Sequence, residues 1–253
     1  NRIWRVIATG IRFAVFGLGG LLIGLLAMPL LLLFCRKREK RRIRAQYLIH
    51  RTFRWFIALM QFLGVMRLHV TGQDKLQAAH PQLVLANHPS LLDVVCLIAT
   101  MPQADCIVKQ ALWQNPFTRG PVQAADYILN DQSEQLIHDS VKRLTGNNKM
   151  IMFQEGTRTA PDQSLNAFQR GAAHIAIASG AEIVPVVIRC VPSTLTKNET
   201  WYHIPPTRFE IFVTVQDAID TQPWRQQDVA PTVQVRRLNT FLHDYFLRKL
   251  CHE

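Results

Sequence analysis

Short apolar runs alternate with amphipathic stretches along most of the chain, and this alternation predicts strands and helices in turn. The predicted strands are 66–70, 82–86, 106–108, 127–129, 150–153, 183–188 and 209–213. The predicted helices are 93–100, 132–145, 168–179 and 231–250. We expect 112–123 to be irregular, because it contains Pro116, Gly120 and Pro121. The order of elements predicts an α/β domain with a mixed sheet flanked by helices.

The longest apolar run lies near the N-terminus. Residues 13–35 carry no charge, and as a helix they would extend about 34 Å, enough to cross a hydrocarbon core of about 30 Å. The alternatives to a full crossing are a re-entrant helix, because of Pro29 and several glycines, and a buried core helix. Gly20 and Gly24 offer a weak helix-packing signal. We expect no cleaved signal peptide, because no small-residue cleavage site follows. The chain begins at Asn1, so we expect sequence before it to have been lost.

A basic segment follows this apolar run. The seven Lys and Arg between 36 and 44 outnumber the three that precede the run, which predicts a cytoplasmic flank at the inner membrane. The same cluster would attract anionic phospholipid. The apolar stretch 55–66 is too short to span, and we favour a helix in the membrane interface over one packed on the soluble domain. The predicted organisation is a membrane-anchoring segment, 1–66, with its basic neck at 36–54, and an α/β domain at 67–253.

The distribution of charge argues against a nucleic-acid-binding surface. The formal net charge is +11, and residues 1–54 account for all of it, with 12 basic residues and one acid. The rest of the chain holds 17 residues of each sign, so no nucleic-acid partner is expected. The five cysteines form no C-x-x-C pair and have apolar surroundings. This predicts reduced, buried thiols and no metal site.

The first candidate site is the polar segment 87–93 (N-H-P-S-L-L-D), which lies between two apolar runs. Histidine exchanges protons near neutrality, and Asp93 could fix its tautomer. On one ideal helix His88 and Asp93 would point about 140° apart. We expect Pro89 at the first helical position, which leaves His88 on the preceding loop. No G-x-S-x-G elbow occurs, so the nucleophile would belong to the substrate. The alternative is a strand–loop–helix junction in which Asn87 caps the helix and His88 is incidental.

The second candidate site follows the predicted strand at 150–153 and reads Q-E-G-T-R-T. Gly156 permits a tight turn, Thr157 adds a hydroxyl, and Arg158 offers a planar fork suited to phosphate. Glu155 could organise the arginine. The segment therefore predicts a phosphate-binding loop. A surface turn with an ion pair is the alternative.

These landmarks occur in one order, and together they resemble the lysophosphatidic acid acyltransferase (1-acylglycerol-3-phosphate O-acyltransferase) family of membrane glycerolipid acyltransferases. That family carries an H-x-x-x-x-D motif and a later F-P-E-G-T-R motif. The matching segments here are 88–93 (H-P-S-L-L-D), 109–128 from Lys109 to Ile128, 153–158 (F-Q-E-G-T-R), 168–173 (F-Q-R-G-A-A) and 183–186 (I-V-P-V). The resemblance covers roughly residues 66–190, and it implies a glycerolipid acyltransferase-like fold.

The resemblance also implies a membrane-bound O-acyltransferase. His88 would act as general base on the hydroxyl of a lysophospholipid, most simply lysophosphatidic acid, with Asp93 orienting it. The acyl group would come from acyl-CoA or acyl-ACP (the acyl carrier protein) as co-substrate, with no bound cofactor. The implied acceptor-binding residues are Asn87, Lys109, Glu155, Gly156, Thr157, Arg158 and Arg170.

Three departures from the family pattern keep other hypotheses open. Gln132 stands where the family's second motif has arginine, Gln154 stands where its third motif has proline, and residues 191–253 match no block of it. The first alternative is an acyltransferase of the same mechanism whose acceptor is another lysolipid, an amino-acid lipid or a lipid of a specialised pathway. The second is a non-catalytic membrane scaffold that recruits anionic lipid through its basic neck.

Overall fold

A mixed sheet lies at the centre of the described chain. The structure, a computed structural model, describes residues 2–131, 134–197, 199, 205 and 207–252. Its strands are β1 (Met66–Thr71), β2 (Gln82–Ala86), β3 (Asp105–Lys109), β4 (Ile128–Asn130), β5 (Lys149–Phe153), β6 (Glu182–Val191) and β7 (Phe209–Val215). Across the sheet they are ordered β1-β7-β6-β2-β5-β3-β4. Strands β2 to β6 run parallel, β7 runs antiparallel to β6, and β1 runs parallel to β7. The predicted mixed sheet is confirmed.

Helices cover both faces of this sheet. They are α1 (Arg2–Leu22), α2 (Met28–Phe34), α3 (Arg38–Phe62), α4 (Asp93–Thr100), α5 (Gln110–Gln114), α6 (Pro116–Ala124), α7 (Glu134–Thr145), α8 (Gly171–Ser179) and α9 (Pro231–His252). One core, which includes Leu97 and Phe209, lies between the sheet and α3, α4 and α6. The other, which includes Ile175 and Phe246, lies under α7, α8 and α9. The two cores give the three-layer α/β arrangement that strands alternating with helices predict.

The N-terminal apolar run is helical from α1 through α2, with a π-helical turn at Ile23–Ala27 between them. This turn precedes Pro29, which has no amide hydrogen to donate, so the wider turn accommodates the missing bond without ending the helix. Within Thr9–Leu31 an 18-residue window has a mean hydropathy of 2.2, and 6% of that window is buried. By length and composition this helix could cross a membrane.

Two glycines of α1 and its π turn pack closely against α6. A Cβ added to Gly20 would collide with the carbonyl oxygen of Phe117, and one added to Gly120 would collide with Cα of Gly24. Only glycine permits this approach. The weak helix-packing signal at Gly20 and Gly24 therefore corresponds to a contact within the molecule, and it attaches the apolar helix to the α/β domain.

The expectation that 112–123 is irregular is wrong, because this segment belongs to α5 and α6. Asn115 caps α6, since its Oδ1 accepts a hydrogen bond of 2.9 Å from the amide of Phe117. Pro116 occupies the first turn, where a missing N–H costs nothing. Gly120 does not interrupt the helix; it is the residue of α6 that contacts Gly24 of the N-terminal helix.

The predicted neck and interfacial segments form one uninterrupted helix, α3. Its buried side chains include Ala45, Ile49 and Met60, which pack on the domain. Trp55 and Phe62 are 58% and 87% exposed. The helix thus packs on the domain with one face and presents aromatic side chains on another, and its position in a membrane interface stays a prediction.

Three arginines of the basic neck have partners within the protein: Arg42 and Arg38 bind carboxylates, and Arg44 donates to Sγ of Cys35. Nη1 of Arg42 lies 2.7–2.8 Å from both carboxylate oxygens of Asp105, and both residues are buried. Burial raises the pKa of Asp105, although Arg42 opposes the shift. Arg38 forms a bidentate pair with Asp126. The four remaining Lys and Arg between 36 and 41 are exposed or half-buried, with no side-chain partner in the described part of the chain. Lipid attraction is therefore left to fewer cations than the sequence suggests.

Candidate active site

Both candidate segments leave the sheet at its carboxyl edge. Strands β2 and β5 are parallel neighbours in which Ala86 pairs with Phe153. The next residues along each strand therefore emerge side by side. Lys109 ends β3 on the far side of β5, and β6, on the far side of β2, ends at Val191. Four parallel strands thus present polar side chains at one edge.

His88 and Asp93 meet there. Nδ1 of His88 lies 3.0 Å from Oδ2 of Asp93, which also accepts a hydrogen bond of 2.6 Å from the amide of Ser90. The Phe153 ring packs on the imidazole with centroids 4.4 Å apart. The side chain of Asp93 is fully buried, whereas that of His88 is 15% exposed. An ionised Asp93 places the proton on Nδ1 and leaves Nε2 free to accept one, so His88 has the environment of a general base.

The local geometry differs from the expected one in two respects. Helix α4 begins at Asp93, so Pro89 is not its first residue. A turn over 90–93 brings Asp93 back toward His88 instead. Asn87 does not cap the helix either, because its side chain exchanges two hydrogen bonds of 2.7–2.8 Å with the backbone of Ile188. Buried in this way, Asn87 joins β2 to β6 and has no free group for a substrate.

Glu155 holds the two motifs together. Its Oε1 accepts hydrogen bonds from the amide of His88 (2.7 Å) and the hydroxyl of Thr159 (2.8 Å), and its Oε2 accepts one from the amide of Asn166 (2.8 Å). The residue is only 3% exposed. The amide of Thr159 in turn donates to the carbonyl of His88. The expectation that Glu155 organises Arg158 is therefore wrong. Its carboxylate positions the backbone of His88 instead.

Arg158 and Lys109 supply cations near this pair. Nη1 of Arg158 donates to the carbonyls of Leu195 (2.8 Å) and Thr196 (2.7 Å). Its Nε and Nη2 have no protein partner in the described chain, so they are available to a ligand. Burial, and then the charge of Arg158, lower the pKa of Lys109. The lowered pKa of Lys109 next to the charge of Arg158 indicates a place where an anion would be stabilised.

The remaining predicted residues differ in their placement. Gly156 has a φ of +65° and closes a turn through its amide to the carbonyl of Phe153, as the tight turn requires. Thr157 is half-buried in the same loop. Arg170 is exposed beside the start of α8, and no contact with His88 or Arg158 is found in the described chain. Gln132 lies outside the described residues.

The segment 194–197 is part of the site and was missed from the sequence. It contacts both motifs, because the hydroxyl of Ser90 donates to the carbonyl of Thr194 and Arg158 binds the two carbonyls that follow. Lys197 contributes to lowering the pKa of Lys109. No sequence signal could have found this segment, since it lies beyond the last recognisable motif.

Gln154 occupies the position at which the family motif has proline. Gln154 is fully buried, and neither polar atom of its side chain has a partner among the described residues.

All five cysteines are free. Cys190 is half-buried and Cys251 is exposed, so the expectation of buried thiols is wrong for Cys251. Within the described part of the chain no group of three His, Cys, Asp or Glu could hold a metal ion.

Asp93→Asn is expected to lower kcat by about two orders of magnitude, because an amide favours the wrong tautomer of His88. Initial-rate kinetics measure this loss.

The effect of Asp93→Asn on the free energy of unfolding should depend on pH. Burial raises the pKa of Asp93 above its ordinary value, so ionisation costs native stability as pH rises from about 4 through the raised pKa. The stability of the variant relative to wild type should therefore increase with pH in thermal unfolding. Asp244→Asn, at a position 60% exposed, is the control; identical pH profiles for both variants would contradict the assignment.

Comparison with known proteins agrees with the fold and points to acyltransferases. The profile of the Acyltransferase family matches residues 67–189, which include β2 to β5, most of β1 and β6, and both motifs. The α/β domain is therefore similar to this family of acyltransferase enzymes. The human 1-acyl-sn-glycerol-3-phosphate acyltransferase beta is 27% identical over 202 residues, 75% of this chain and 70% of the human protein. The 1-acyl-sn-glycerol-3-phosphate acyltransferase of Haemophilus influenzae is 25% identical over 204 residues, 78% and 79% of the two chains. Similarity to proteins named for this activity thus extends over about three quarters of the chain.

A solved structure shares the architecture. The crystal structure of the 1-acyl-sn-glycerophosphate (LPA) acyltransferase PlsC from Thermotoga maritima matches with a TM-score of 0.76 at 18% identity, over 99% of this chain and 96% of that chain. At this identity the likeness shows the fold alone. Several animal relatives are longer, and the matched region spans 61% to 65% of their length.

Proposed function

We propose that this enzyme transfers an acyl group from a thioester to the hydroxyl of a lysophospholipid, with lysophosphatidic acid as acceptor and phosphatidic acid as product. The observation that carries the proposal is the His88–Asp93 pair at the carboxyl edge of the sheet, beside cations that have no carboxylate partner in the described chain. The similar human and bacterial proteins are named for this acceptor.

The geometry supports a general-base mechanism. Nε2 of His88 takes the proton of the acceptor hydroxyl, while the oxygen of that hydroxyl forms a bond to the carbonyl carbon of the thioester. The tetrahedral intermediate collapses with cleavage of the C–S bond, and the leaving thiolate recovers the proton from His88. Asp93 stabilises the imidazolium between these steps, and Glu155 fixes the backbone of His88. Arg158 and Lys109 hold the acceptor's phosphate, with Thr157 and Gly156 lining the loop.

We further propose that the enzyme works at the cytoplasmic face of the inner membrane, with acyl-CoA or acyl-ACP as donor. The apolar helix that contains Thr9–Leu31 and the cations at 36–44 support this placement. Protease added to sealed, right-side-out membrane vesicles should leave the α/β domain intact. Digestion of the domain without lysis would place it on the other face.

The acceptor is tested by acyl transfer from radiolabelled acyl-CoA and acyl-ACP by the purified protein in detergent micelles. We expect kcat/KM for lysophosphatidic acid to exceed that for monoacylglycerol, which lacks the phosphate, by at least about tenfold, since a charged hydrogen bond is lost. Equal use of a phosphate-free acceptor would favour the alternative of a non-glycerophosphate substrate. Absence of product with any acceptor would contradict the proposed function and favour a scaffold.

A further inference from the structure

The segment 194–197 forms a third side of the site, between the two motifs. The carbonyl of Leu195 accepts hydrogen bonds from the amide of Leu91 (3.2 Å) and from Nη1 of Arg158 (2.8 Å). The carbonyl of Thr194 accepts one from the hydroxyl of Ser90 (3.0 Å). The segment therefore has a fixed position relative to both the histidine loop and the arginine loop.

This anchoring also fixes the origin of the Lys197 side chain. Thr194, Leu195 and Thr196 are buried, and the amide and hydroxyl of Thr196 donate to Oε2 of Glu199 at 2.9 and 3.2 Å. Lys197 follows at once and is exposed. Its ammonium group thus leaves a rigid backbone beside Arg158 and can reach a ligand without ordering a loop.

The charges at this edge are unbalanced. Arg158 binds the two carbonyls directly before Lys197, so these two cations lie in one region. Lys109 is close enough to both that, after burial, their charges lower its pKa. In the described chain none of them lies within 4.0 Å of a carboxylate. The two nearby buried acids, Asp93 and Glu155, are already committed to His88 and its backbone. The carboxylate of Glu199, on the same segment as Lys197, accepts the hydrogen bonds of Thr196. Three cations without a counterion repel one another unless an anion occupies the space between them.

We propose that Lys197 is a specificity-determining residue that binds the acceptor's phosphate together with Lys109 and Arg158, and that it selects a phosphate monoester over a phosphodiester. This inference rests on the proposed function. A monoester carries a charge of about −1.5 to −2 near pH 7, whereas a diester carries one negative charge. Because Coulomb attraction scales with the charge of the anion, a third cation stabilises the monoester more than the diester.

Replacement of Lys197 by alanine should raise the KM for lysophosphatidic acid at least about tenfold, with a smaller change in kcat. The KM for lysophosphatidylglycerol, a phosphodiester, should change less than about threefold. Lys197→Arg keeps the charge and should restore most of the affinity. Lys142→Ala removes an exposed lysine from α7 and is the control for general attraction to charged micelles. Equal effects of Lys197→Ala on the monoester and the diester would overturn the selectivity.

Coenzyme A also carries phosphates, so the donor must be examined separately. The KM for acyl-CoA and for an acyl-pantetheine thioester, which lacks the nucleotide phosphates, should be unchanged in Lys197→Ala. A rise for acyl-CoA alone, with the acceptor KM unchanged, would assign the cluster to the donor and overturn the inference.

Failure of this inference is distinguishable from failure of the proposed function. If the wild-type enzyme transfers no acyl group to lysophosphatidic acid, the proposed function is wrong, and the inference fails with it. If the wild type is active and Lys197→Ala is kinetically unchanged, only the role of Lys197 is wrong. Thermal unfolding of Lys197→Ala, expected to match wild type because the side chain is exposed, shows that the kinetic change is local.

Discussion

Replacing His88 by alanine is expected to lower kcat for acyl transfer by about 10²- to 10⁴-fold while the protein stays folded. The loss follows because, among the described residues, His88 is the only titratable side chain that hydrogen-bonds to Asp93 and can take the proton of the acceptor hydroxyl there. Folding should persist because the His88 side chain bonds only to Asp93 in the described chain and is partly exposed, whereas its backbone contacts to Glu155 and Thr159 remain. The measurement is initial-rate kinetics with lysophosphatidic acid and a radiolabelled thioester.

Two comparisons make this result specific. His138→Ala removes a histidine whose side chain is 71% exposed on α7, and it should leave kcat unchanged. The double variant His88→Ala, Asp93→Asn should lose little more than His88→Ala alone, because Asp93 acts through the imidazole. A loss of less than about fivefold in His88→Ala, or additive losses in the double variant, would contradict the general-base role.

Replacing Arg42 by alanine is expected to destabilise the fold by about 3–5 kcal/mol, because it removes the close cation of a buried carboxylate and leaves Asp105 only Arg143, at 3.9 Å. Arg42 belongs to α3 and Asp105 begins β3, so this pair joins the basic neck to the sheet. Asn148 and Glu39 also bind the guanidinium. Thermal unfolding in detergent micelles measures the effect.

Lys40→Ala, at an exposed position of the same helix, is the control and should change stability by less than about 0.5 kcal/mol. The double variant Arg42→Met, Asp105→Leu should recover much of the loss, since apolar replacements of both partners leave no charge unpaired. Indistinguishable unfolding of Arg42→Ala and Lys40→Ala would show that the buried pair does not stabilise the attachment of α3.

The sheet and the two motifs could be predicted from the sequence because each depends on local signals. Buried strands read as apolar runs, and the polar residues that follow β2 and β5 stand out against them. Parallel strands bring their carboxyl ends to one edge, so the convergence of His88 and Arg158 on that edge follows once the strands are adjacent.

Other features depend on contacts that the sequence does not encode locally. Gly120 resembles a helix breaker until Gly24 is packed against it. Glu155 resembles a ligand-binding acid, but two backbone amides from distant segments occupy its oxygens. Lys197 belongs to no motif, and its place beside Arg158 becomes visible only through the backbone carbonyls of Leu195 and Thr196. In each case the partner lies far away in the sequence.

The central claim is that one edge of the sheet positions the acceptor hydroxyl against His88 and the acceptor phosphate against the cations. A crystal structure of the wild-type enzyme with lysophosphatidic acid and no thioester tests it most directly. We expect the free hydroxyl within about 2.6–3.2 Å of Nε2 of His88 and the phosphate in contact with Arg158. A bound acceptor whose hydroxyl lies outside hydrogen-bond reach of His88, with its phosphate away from Arg158, would contradict the account.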